Sequence, residues 1–101
     1  MSDYIDATVA AADNYKLLGQ EGNVRVVEMT LPPGVKDNVH SHHSETVYFI
    51  TGSKVKIYVG DEVMEADIPD GHVMFHGAWT HQVENVGDKT LKAIIFETMP
   101  A

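Results

Sequence analysis

The chain contains no cysteine. That excludes disulfides, thiol nucleophiles and every metal site built on thiolates. It has one arginine, Arg25, and 7 basic residues against 15 acidic ones, a net charge of -8 with neutral histidine. A generic nucleic-acid surface needs the opposite sign, so nucleic acid is not an expected partner. No apolar run approaches the roughly 20 residues that span a bilayer, so no membrane partner is expected either. The N-terminus reads MSDYID, with acid where a secretory or mitochondrial leader needs base. These absences together predict a cytoplasmic protein. Helical periodicity is missing too: after residue 12 no segment sustains it for about three turns.

What is there is strand text. The 101 residues suit one domain, 1–101, preceded by an arm over residues 1–12 that forms a short helix or lies over a partner. From Tyr15 onward, apolar and β-branched runs alternate with turn residues. The runs are Tyr15–Gln20, Val24–Leu31, Glu45–Thr51, Lys54–Val59, Glu62–Ile68, Val73–His76, Thr80–Asn85 and Thr90–Thr98. Pro32-Pro33-Gly34, Gly60-Asp61, Pro69-Asp70-Gly71 and Gly87-Asp88 punctuate them. About eight or nine short strands at this spacing predict an all-β sandwich or closed barrel. Parallel α/β is excluded, because each crossover needs a dozen or more residues.

Histidine is the compositional outlier, with 6 residues, all between positions 40 and 81. His40 and His42 are two apart, which in a strand puts both imidazoles on one face. A bulge at His43-Ser44 brings the Glu45 carboxylate back to that side. His81, on another strand, closes the site from across the barrel. Three imidazoles and a carboxylate suit one divalent transition metal (Fe, Mn, Ni, Zn, Co or Cu) and not Ca or Mg. A lone histidine in a β protein is more often a hydrogen-bonded or surface residue, and H-x-H by itself is a weak signal. The addition of Glu45 and His81 between apolar strands moves the balance to metal.

Those residues carry a resemblance. Gly34, five residues, His40-Ser41-His42, then Glu45, six residues and Gly52 resemble the first motif of the cupin superfamily. His81 and Asn85 match the end of its second motif, whereas His76 and Ala78 stand where proline and glycine are usual. The family also spaces the H-x-H pair from the glutamate more widely, so His43 is an alternative second imidazole, although on the opposite strand face. The resemblance covers roughly residues 24–97. It implies a cupin-type jelly-roll β-barrel (a double-stranded β-helix, RmlC-like) with metal near one mouth, coordination positions open to a small-molecule ligand, and a homodimer. It constrains the chemistry little, because the fold hosts enzymes, binding proteins and storage proteins. The expected metal ligands are His40, His42, Glu45 and His81. Candidate catalytic groups are His76, as a spare acid–base, and Glu45. Candidate pocket residues are Phe49, Trp79, Phe96 and Asn85, with Trp79 read in a loop. The functional expectation is a small-molecule metalloenzyme using the metal as Lewis acid or to activate dioxygen. The alternative is a cupin that binds metal or a small metabolite without turnover. Arg25 either grips a carboxylate bidentately or sits at a surface.

Overall fold

The computed structural model describes residues 4–100; Met1–Asp3 of the expected arm lie outside them. After a one-turn helix α1 (Ala7–Ala10) come nine strands: β1 (Tyr15–Glu21), β2 (Val24–Leu31), β3 (His40–His42), β4 (Ser44–Thr51), β5 (Lys54–Val59), β6 (Glu62–Asp67), β7 (Val73–His76), β8 (Trp79–Asn85) and β9 (Leu91–Thr98). They form a five-stranded sheet, β1-β2-β9-β4-β7, and a four-stranded sheet, β3-β8-β5-β6. All pairings between these strands are antiparallel. The strand pattern predicts an all-β sandwich or barrel, and the two-sheet jelly roll is the form of it that the resemblance implies.

Alternation decides what faces inward. Along β2, Arg25, Val27, Met29 and Leu31 are buried; along β9, Leu91, Ala93, Ile95 and Glu97; along β4, Glu45, Val47 and Phe49. Cross-strand register stacks these residues in layers. Val27, Ile95 and Val47 share one row, and Leu31 and Leu91 close the far end. At the opposite end, the row is Arg25, Glu97 and Glu45. The barrel is therefore apolar through its middle and charged at one mouth. Burial of charge costs free energy unless partners compensate it, so that mouth is where function is sought.

The two glycines of the first motif have separate physical causes. Gly34 has φ +79°, which L side chains adopt only with strain. At Gly52 a Cβ would run into the Ile68 carbonyl, so the chain there passes too close for any side chain.

The arm folds back on its own chain. The Ser41 amide donates to the Ile5 carbonyl (2.6 Å), and the Ile5 amide donates to Ser41 Oγ (3.0 Å). Asp6 caps α1 through the Thr8 amide, and Ala7 and Ala11 enter the core. The expected arm is a short helix or a cover over a partner; the helix is present as α1, and residues 4–12 cover β3 of their own chain, because the short H-S-H strand offers an unpaired edge beside it. Among the described residues no helix is long and apolar enough to cross a membrane.

Candidate metal centre

His40 and His42 project inward from β3, and His81 from β8, with His40 directly opposite His81 in the ladder. All three are buried, and one nitrogen from each lies within 4.8 Å of the others. The ring centroids are 4.7 Å apart for His40–His81, 4.9 Å for His40–His42 and 5.5 Å for His42–His81. His40 Nδ1 lies 2.7 Å from the Asn38 carbonyl. A carbonyl only accepts, so Nδ1 carries the proton and Nε2 keeps its lone pair. That Nε2 has no hydrogen-bond partner, and neither does either nitrogen of His81. Buried polar atoms are nearly always paired, and those left orphaned call for an explanation such as an ion. Several lone pairs converging without a partner fit a divalent transition metal, which takes neutral imidazole nitrogen readily.

Burial pulls the His40 pKa down from 6.5 to about 4. Burial also pulls His81 down to about 2, aided by His40, His42 and His76. The rings are thus neutral and ready to ligate well below neutral pH. Asp37, buried against the same cluster, is pushed from 3.8 to about 6 by desolvation, despite hydrogen bonds from Tyr15 and the Val83 amide.

These shifts set an acid dependence. Between about pH 6 and 4, unfolding lets His40 and His81 each bind a proton that the folded state refuses. Asp37 works in the opposite sense, since its folded carboxyl is already protonated there. Among these three groups the net uptake is one proton, about 1.4 kcal/mol of stability lost per pH unit on acidification through this window in the metal-free protein; Glu45, whose pKa is also raised, works with Asp37, and Glu97, whose pKa is lowered, with the histidines. Urea midpoints measured from pH 7 to pH 4.5 should fall steadily. A flat profile would contradict the assignment of neutral buried imidazoles.

Glu45 is buried on β4, and its Oε2 accepts the Trp79 indole N–H. The mutual cluster of nitrogens does not take it in. Desolvation raises its pKa, and the neighbouring Glu97 adds to the rise. An interior cavity of about 50 Å³ is lined by His42, Glu45, Trp79 and His81, with Tyr15, Phe49, two methionines and aliphatic side chains as its remaining walls. On the other side of His42, His81 and Trp79 lies an open cleft of about 740 Å³, also bordered by Tyr4, His43 and Tyr58.

Of the other expected site residues, Trp79 borders the cluster and His76 stacks on it from outside, whereas Phe96 and Asn85 lie away from the site. Trp79 opens β8 instead of standing in a loop, because it pairs with His42 across the ladder. His76 is exposed, stacked on the Trp79 ring at 3.5 Å and paired with Glu45 across β4 and β7. Phe96 is 44% exposed on the outer face of β9, since strand alternation turns it away from its inward neighbours Ile95 and Glu97. Asn85 is fully buried, but its four side-chain hydrogen bonds go to Leu31 at the end of β2, to Gly87 and Lys89 in the turn before β9, and to Ser53. His43 stacks on Tyr4, centroids 4.2 Å apart, outside the cluster.

Two acidic residues had not been singled out. Asp37 accepts the Tyr15 hydroxyl at 2.7 Å. Glu97 lies 3.5 Å from His42 Nδ1 through its Oε1. Glu97 was findable, because counting by twos from Leu91 puts it on the core face.

A solved cupin domain from Bordetella pertussis superposes on this chain with a TM-score of 0.77 at 18% identity, covering 85% of this chain and 92% of that one. This chain has the cupin fold. An RmlC-like cupin family protein with a double-stranded β-helix fold, from Methanocaldococcus jannaschii, matches this chain with a TM-score of 0.68 at 13% identity over 84% and 78% of the two chains. A Cupin_2 domain of an XRE family transcriptional regulator from Enterobacter cloacae gives 0.65 at 15% over 86% and 96%. No family model and no curated protein matches the sequence. In this chain, then, sheet geometry is shared with distant structures, and the case for metal rests on its own three histidines.

Proposed function

We propose that this cupin binds one divalent transition metal through His40, His42 and His81, with Glu45 as the fourth ligand, and works on a small molecule as a cytoplasmic metalloenzyme. The observation that carries the reading is the set of unpartnered buried imidazole nitrogens turned toward one another. Bound there, the metal would supply Lewis acidity or a centre for dioxygen. The chain supplies the rest. Trp79 holds Glu45 by its indole N–H, which keeps the carboxylate from swinging freely. The raised pKa of Glu45 suits it to hold a proton if it leaves the metal, with His76, its cross-strand neighbour, as an acid–base partner at the rim. Apolar walls keep the interior side dry, and the open cleft supports ligand approach from outside.

A second reading has its own observation. The interior cavity holds about one or two waters, since each takes about 30 Å³ of liquid. A site so closed favours metal or metabolite binding without turnover. Cobalt(II)-loaded protein titrated with azide separates the two. Open coordination positions predict a shift of the visible ligand-field bands, and unchanged bands up to saturating azide would favour the second reading.

We also propose a homodimer. With residues 4–12 docked on their own chain, the support moves to the outer face of the five-stranded sheet. There Val73, Tyr48 and Ile94 form one cross-strand row, and Phe75 and Phe96 flank Thr46 in the next. Phe75 is 76% exposed. Contiguous apolar surface of this kind marks interaction sites. Light scattering at micromolar concentration should give twice the chain mass; the mass of a single chain would refute the dimer.

A further inference from the structure

Glu97 is a carboxylate enclosed by donors. It is fully buried at the charged mouth of the barrel. Its Oε2 accepts the Tyr4 hydroxyl at 2.8 Å and the His43 amide at 2.7 Å. Arg25 Nη2 stands 3.8 Å from Oε1. Arg25 is in turn gripped bidentately by Asp6, at 2.9 and 3.0 Å, so the only arginine holds a carboxylate of its own chain. Two of the groups that fix Glu97, directly or through Arg25, thus come from the N-terminal arm. The remaining oxygen, Oε1, has no hydrogen-bond partner, and neither has the buried His42 Nδ1 facing it at 3.5 Å.

An orphan acceptor opposite an orphan ring nitrogen has a simple resolution. If Nδ1 carries the proton, it donates to Glu97 Oε1, and Nε2 keeps the lone pair. That is the tautomer a metal needs at Nε2, and a carboxylate behind a ligating histidine also raises the ring's basicity. Among the described residues no other acceptor orients His42; His40 has the Asn38 carbonyl for that purpose.

We propose that Glu97 is the positioning residue for His42, and that the N-terminal arm, through Tyr4 and the Asp6–Arg25 pair, locks Glu97 in place and so sets metal affinity. This rests on the metal-binding reading above. It goes beyond that reading by making residues 4–6, remote in sequence from every ligand, part of the metal site. Glu97 is not itself a ligand, and it acts only through the ring it orients.

The test uses the full chain and zinc. Long-range nitrogen–proton NMR on metal-free protein reads each histidine's tautomer, and chelator competition reads zinc affinity. The wild type should show His42 with its proton on Nδ1. Glu97→Gln should weaken zinc about 10- to 100-fold and mix the His42 tautomers, because the new amide NH₂ meets donors on every side. His40 should keep its tautomer in that variant, which a general loss of structure would not allow. Tyr4→Phe removes one hydrogen bond from a half-buried residue and covers the case in which Glu97→Gln does not fold. It should weaken zinc about 3- to 10-fold, with the same tautomer change to a smaller degree. Two results overturn the proposal: a wild-type His42 protonated on Nε2, or folded variants that bind zinc within about two-fold of wild type with an unchanged His42 tautomer. Wild type that takes up no zinc overturns the metal-binding reading and this inference together. Zinc bound equally by wild type and variants overturns this inference alone.

Discussion

His42→Ala should lose most of the bound metal, while His43→Ala keeps it. The two residues are adjacent, alike in chemistry and opposite in direction. His42 faces inward, 2 residues from His40, and contributes to the cluster of nitrogens within 4.8 Å. His43 faces the arm, where it stacks on Tyr4, and only its backbone amide reaches Glu97. Outer-shell changes at metal sites already cost about 10- to 100-fold in affinity, so loss of a ligand should cost more than about 100-fold. Glu45→Gln should fall between the two. Its amide oxygen can ligate without offsetting the cation's charge, and the indole of Trp79 can still donate to it. Metal analysis of the three variants in parallel, after circular dichroism shows each to be folded, checks this. Metal retained in His42→Ala and lost in His43→Ala would overturn the site and leave the fold standing.

Asn85→Ala should destabilise the protein by about 3–5 kcal/mol without a direct effect on the metal. The Asn85 amide uses all of its main capacity. Its NH₂ donates to the Leu31 and Lys89 carbonyls at 2.8 and 2.7 Å, and its oxygen accepts from Ser53 Oγ and the Gly87 amide at 2.9 and 3.0 Å. Truncation strands several buried groups at once, and each unmade bond costs about 1–3 kcal/mol. Asn85→Asp should be no better, since a carboxylate cannot donate to two carbonyls. Urea denaturation of reconstituted protein at two metal concentrations would test both halves. A loss under about 1 kcal/mol, or a weakened zinc affinity in folded Asn85→Ala, would contradict this structural role.

Strands and turns were legible because they rest on local rules. β2 runs between Gly22-Asn23 and Pro32-Pro33, and β5 and β6 are joined at Gly60-Asp61, where Gly60 takes φ +57°. The shared face of His40 and His42 follows from a period of two. What stayed hidden depends on which strand lies next to which. Nothing local says that β9 lies between β2 and β4, so nothing in the text brings Glu97 beside Arg25 and Glu45. Alternation turns Glu97 inward and Phe96 outward, so the aromatic ring that suggests Phe96 for the pocket is overruled by its strand phase. Asp37 carries no such signal, because it lies in the irregular stretch before β3, where no period holds. The arm's destination was equally unreadable. It depends on the free edge of β3 and on the Asp6–Arg25 pair, two features far apart in sequence.

Buried together without hydrogen-bond partners for several of their nitrogens, His40, His42 and His81 suit one divalent transition metal. Elemental analysis by mass spectrometry, on protein stripped with chelator, reconstituted and desalted, tests it most directly. About one equivalent of iron, manganese, nickel, zinc, cobalt or copper per chain, retained through desalting, is the expected result. Less than about a tenth of an equivalent of every one of these metals after reconstitution would contradict it.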